Sequence, residues 1–220
     1  ILADLTEEEK IATEDKTFFA FLLPYAKLES SEFISNTSEF LAGPLAEAID
    51  SGNTGNIVLF SNRLKFEKRL SEQKYNQMLI ESLEVFLAIP EKNDQLRLLD
   101  GHIDHEDFAL FCSKPYFNHF TYFDYNPEVS FEKQLNQNGN QLLLAPEAPI
   151  EALFLLEVPE GGDPTVFYSI VEYFTEKKVS PIYSVVENPS LKVPFITVSL
   201  LYSRKPAELV NDFNEIAESH

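Results

Sequence analysis

The densest group of residues able to do chemistry runs from Asp100 to Asp107 (DGHIDHED). It holds two of the four histidines together with three aspartates and a glutamate. Imidazole nitrogen and carboxylate oxygen are the donors a divalent first-row metal takes. On an extended chain His102 and Asp104 share a face; on a turn His102 and His105 converge. His102, Asp104 and His105 are therefore the candidate ligands, and metal-dependent hydrolysis is the chemistry they would support. The spacing matches no established metal signature, and acidic residues between strands are also ordinary turn composition. A divalent metal and no cofactor at all are both open readings.

A second concentration is aromatic. Phe108, Phe111, Tyr116, Phe117, Phe120, Tyr122, Phe123 and Tyr125 place eight rings in eighteen residues. A strand buried on both faces explains them, because aromatic residues favour strands. A partner surface is the alternative, since such rings dominate the cores of interfaces. On that reading Tyr116, Phe117, Phe120, Tyr122 and Tyr125 are the contact residues. His119 and Asp124 lie among them as acid–base candidates with no partner legible in the sequence.

A third concentration is basic. Arg63, Lys65, Lys68, Arg69 and Lys74 gather five of the seventeen basic residues into twelve positions. Charged faces on edge strands guard against aggregation; the same face, chiefly Arg63, Lys65 and Arg69, would also suit an acidic partner. Nucleophilic and phosphate chemistry find no motif. There is no GxSxG, HExxH, GxGxxG or GxxxxGK[ST], and seven glycines leave little for a phosphate cradle. Cys112 sits in an apolar stretch, where a thiol is usually inert.

These residues must be positioned by the elements around them. Residues 150–158 (IEALFLLEV) form a short apolar run between two prolines, the pattern of a strand buried on both faces. Asp163 and Pro164 then open a helix, as N-cap and first-turn proline. Its apolar stripe is Val166, Phe167, Ile170, Val171 and Phe174, and Lys177 and Lys178 close it against the negative end of its dipole. Strands follow over 180–186 and 192–203, with a last helix over 206–218. Residues 17–83 read in the same β-α-β-β-α order: a strand over 17–25, a loop over 30–36, a helix over 38–50 disturbed by Pro44, strands over 57–60 and 63–70, and a helix over 71–83. The middle, 95–145, reads as strands over 95–99, 108–113, 117–125, 129–135 and 141–145, with Asn138-Gly139 as a hairpin turn.

The expected fold is α+β: a mainly antiparallel sheet with helices packed on it. It forms a single domain over 1–220, with two pseudo-halves, 17–89 and 150–220, joined by the strand-rich middle. The net charge of −19 disfavours nucleic acid and anionic lipid. No apolar run is long enough to span a membrane, no signal peptide is visible although the chain starts at Ile1, and a lone cysteine suits a reducing, cytoplasmic setting. Three functions follow. The first is a non-catalytic protein-binding or regulatory protein using an aromatic or sheet-edge surface, with homo-oligomers allowed. The others are a metal-dependent hydrolase at His102, Asp104 and His105, and an acidic inhibitor or immunity protein for a basic target.

Overall fold

The computed structural model describes residues 16–22, 31–60, 71–138, 148–203 and 208. Among the described residues seven strands join in one sheet: β1 (Thr17–Leu22), β2 (Thr54–Phe60), β3 (Arg97–Gly101), β4 (Phe117–Asp124), β5 (Glu151–Val158), β6 (Ile182–Glu187) and β7 (Phe195–Tyr202). Their order across the sheet is β1-β2-β4-β7-β5-β6-β3. Three pairings are parallel, β1–β2, β2–β4 and β5–β6. Three are antiparallel, β4–β7, β5–β7 and β3–β6. The expectation of a mainly antiparallel α+β sheet is therefore corrected to a mixed α/β sheet. Alternation and turn residues report which segments are strands, whereas pairing direction depends on where each crossover returns the chain.

The helices are α1 (Ser31–Phe40) and α2 (Ala46–Asp50), α3 (Glu72–Leu87), α4 (Ile89–Gln95), α5 (His105–Cys112), α6 (Phe131–Asn138) and α7 (Tyr168–Glu176). Between α1 and α2 the chain widens into a π-helical turn, Leu41–Leu45, containing Pro44. A proline there has no N–H to give, and the wider turn accommodates the missing bond. The expected loop over 30–36 is largely α1. The stretch 108–113, read as a strand, is helical through Cys112 in α5, with Ser113 as its C-cap: Asp104 caps the start, and Phe108 and Phe111 fall at helical spacing on its buried side. Residues 129–135, also read as a strand, mostly form α6, which buries Phe131, Gln134 and Leu135. Asn138 ends that helix, so it is no hairpin residue; Gly139 and the strand expected over 141–145 lie outside the described residues. The strand over 63–70 and nearly all of the last helix lie outside them too.

The expectations for 150–203 agree with the structure in element order. β5, α7 and β6 make a parallel crossover, and β7 then inserts between β4 and β5. Asp163 accepts the Thr165 N–H as predicted, opening a 3₁₀ turn (Pro164–Phe167) that runs into α7.

Two apolar layers cover the two faces of the sheet. On one, Phe131 and Leu135 of α6 and Ile170 and Phe174 of α7 meet Phe154, Leu156, Val198 and Leu200. On the other, Phe86, Ile89, Phe108 and Phe111 from α3, α4 and α5 meet Val58, Phe60, Phe120, Leu153 and Leu155. Burying each such side chain stabilises the fold by about 1.5–3 kcal/mol, so a sheet lined on both faces supplies most of the driving force.

Candidate functional site

The 100–107 stretch is a strand end turning into a helix start. Gly101 ends β3 at φ +62°, and a Cβ there would lie 2.3 Å from the Tyr183 carbonyl oxygen, so the position requires glycine. Asp104 Oδ1 accepts the Glu106 and Asp107 N–H groups at 2.9 and 2.7 Å, which caps α5. Glu106 and Asp107 then place further negative charge at the positive end of the helix dipole. His105 Nε2 faces Asp94 Oδ2 at 3.3 Å, and His102 is exposed. Among the described residues no three His, Cys, Asp or Glu side chains converge as a metal would need.

The aromatic stretch fills the interior. Phe117, Phe120 and Tyr125 are buried, while Tyr116 and Tyr122 are half-buried against the α3–α5 layer. The Tyr125 hydroxyl pairs with Ser169 Oγ at 2.7 Å, tying the end of β4 to α7. His119 is buried between Leu59 and Leu200 in the strand register, and neither ring nitrogen has a partner among the described residues. Desolvation pulls its pKa down to about 4, so the ring is neutral. Burial pushes the Cys112 thiol up to about 12, which leaves it protonated and unreactive. Arg63, Lys65, Lys68 and Arg69 lie outside the described residues. A shallow groove runs along one helix, lined by Glu72, Gln73, Asn76, Gln77, Ile80 and Glu81 of α3.

Two features escaped the sequence reading. The first is a buried charge. Glu157 on β5 is 1% exposed. Lys92 of α4 donates to its Oε1 at 2.5 Å, and the Asn188 side-chain amide donates to its Oε2 at 2.7 Å. Lys92 also lies over the Phe195 ring. Three elements thus meet at one carboxylate, with partners 65 and 31 residues away. Only a Glu set between Leu156 and Val158 in an apolar strand could have signalled it.

The second feature is a chain of rings that runs from the core to the surface at the β3 edge. Phe174, Phe154, Tyr183 and Phe167 stack in succession at 6.1, 5.3 and 5.4 Å. Tyr168 follows 4.4 Å beyond Phe167 and is 61% exposed, the most exposed of the large apolar side chains among the described residues. The Tyr183 ring crosses Gly101, and its hydroxyl donates to Asp100 Oδ1 at 3.3 Å. A tyrosine beside a turn and another opening a helix carry no sequence signal that sets them together.

No protein-family model matches the chain, and no curated protein matches it. Solved structures do. TubZ of Bacillus thuringiensis serovar israelensis, in GDP-form protofilaments, superposes with a TM-score of 0.62 at 12% identity, covering 96% of this chain and 61% of that one. The TubZ of Clostridium botulinum phage c-st gives 0.54 at 17% identity, covering 96% and 63%. An FtsZ of M. jannaschii gives 0.54 at 13% identity, covering 84% and 56%. At such identities the likeness is one of fold: the sheet and its helices have the FtsZ/TubZ architecture. The chain spans between 56% and 63% of the length of these three proteins.

Proposed function

We propose that the chain is a self-associating protein of this architecture, one whose work is to join protein surfaces. The observation that supports it best is the fold likeness over most of the chain to TubZ chains solved as protofilaments and as a two-stranded filament. Some of those protofilaments are GDP or GTPγS forms. The 220 residues here contain no glycine-rich phosphate cradle, so the reading gives these residues assembly and leaves nucleotide chemistry out.

The charge sets a condition. Copies carrying −19 each repel one another, and salt relieves that repulsion within a Debye length of about 8 Å at physiological ionic strength. Sedimentation velocity and negative-stain electron microscopy over a range of protein and salt concentrations, with and without GTP and Mg²⁺, test the proposal. Species larger than a monomer are expected to grow with protein and with salt, and to be indifferent to GTP. A monomer under every condition would end the reading. Assembly switched on by GTP would instead give these residues a nucleotide role.

A further inference from the structure

We propose that the free edge of β3, together with Tyr168, Tyr183 and Asp100, is a docking surface for an extended, cationic segment of another protein. This goes beyond self-association and does not depend on it. Among the described residues β3 is the last strand of the sheet, with β6 as its single neighbour. Its outer side therefore presents backbone donors and acceptors that an added strand can pair with. Leu98 on it is 44% exposed, an apolar side chain between the exposed charges of Arg97 and Asp100.

The rings at its end give the surface its chemistry. Tyr183 stands beside Asp100, an exposed carboxylate, and Tyr168 is reached from Tyr183 through the Phe167 ring. Asp100 Oδ1 receives the Gly101 N–H at 2.7 Å and the Tyr183 hydroxyl at 3.3 Å, and no ion pair joins it to a cation among the described residues. Aromatic faces beside an uncompensated carboxylate are what an ammonium or guanidinium group seeks. The surroundings repeat the sign: Glu187 lies two positions along β6 from Val185, the register partner of Asp100, and Glu160 adjoins Gly161, whose N–H reaches Glu187 Oε2 at 3.3 Å. The nearby cation, Arg97, is already paired with Glu187 at 3.2 Å.

Charge complementarity thus selects a basic occupant. The irregularity between Leu98 and Asp100 further limits indiscriminate pairing, as bulges at edges do.

The test uses a fluorescent peptide of about ten residues alternating Arg with Val, an extended design, and the same peptide with Glu in place of Arg. Anisotropy is expected to show binding of the Arg peptide, weakening as salt rises, and none of the Glu peptide. Tyr168→Ser and Asp100→Asn, both exposed changes, are each expected to weaken it about five- to tenfold. Hydrogen exchange should show the β3 amides slowed when the Arg peptide is added. Equal binding of the two peptides, variants that bind like the parent, unprotected β3 amides, or β3 amides protected by raising the concentration of the chain alone would each overturn the proposal. The last result would place a second copy on the edge, which leaves the self-association reading standing while this one falls.

Discussion

The loop at 100–107 and the cluster around Glu157 both gather charged groups, and they use them in opposite ways. In the loop, Asp104 bonds to backbone two and three residues away, and His105 meets Asp94 at an exposed pair, 40% and 53% accessible. Around Glu157 the partners come from another helix and another turn, and the carboxylate is sealed from water. In the loop most of the hydrogen bonds go to local backbone, as at Asp104, although Asp100 also takes the Tyr183 hydroxyl. Glu157, which holds distant elements together, stands between apolar neighbours.

The sharpest way to break this contrast is to remove one partner of the buried pair. Lys92→Ala leaves the Glu157 carboxylate inside with only the Asn188 amide, and is expected to cost about 3 kcal/mol or more in urea unfolding. Adding Glu157→Leu should restore much of that loss, because two apolar groups need no partner. A single variant that unfolds at the parental urea concentration would mean that water already reaches Glu157.

The histidines extend the comparison. His119 is buried and neutral in the fold, with its pKa lowered from 6.5 to about 4 by desolvation. Below 6.5 the unfolded chain binds a proton that the folded chain refuses. Stability from this group is therefore complete above pH 6.5 and is lost as the pH falls through 6.5 toward 4. The shift corresponds to about 3 kcal/mol in all. Urea midpoints at pH 7 and 5 should differ for the parent, and His119→Leu should flatten that difference. His105→Ala, at an exposed pair, should leave it in place. A parental slope unchanged by His119→Leu would show that the ring finds a proton partner in the fold.

The same contrast explains what was legible in the sequence. Local signals were read correctly: Asp163 and Pro164 open the helix they predict, and residues 150–158 are the buried strand their apolar run implies. The 108–113 error has a local cause as well. Phe108, Phe111 and Cys112 fit a helix stripe, but the run is short and rich in rings, a composition that strands also favour. The pairing directions, the Glu157 cluster and the Tyr168–Tyr183 approach are all products of long-range return, which no window of neighbouring residues contains.

Within the loop itself, Gly101 should be its most sensitive position. Gly101→Ala puts a side chain at φ +62° and a methyl group against the Tyr183 carbonyl, costing about 2 kcal/mol in strain and displaced pairing. Thermal unfolding measures it, and a variant as stable as the parent would mean that the β3 end shifts freely.

Asp104 gives the smallest effect and the finest distinction. As a cap it accepts two backbone N–H groups through one oxygen, a task Asn performs about as well as Asp. Asp104→Ala should therefore cost about 1 kcal/mol, and Asp104→Asn close to nothing. A metal ligand behaves otherwise, since the neutral amide of Asn is a poorer donor to a divalent ion than a carboxylate. Differential scanning fluorimetry of the parent and both variants, with and without added Zn²⁺, separates the two roles. If Asp104 works only for the helix, Zn²⁺ moves none of the three curves and Asn tracks the parent. A Zn²⁺-dependent rise in the parent that Asn abolishes would return His102, Asp104 and His105 to the chemistry their spacing first suggested.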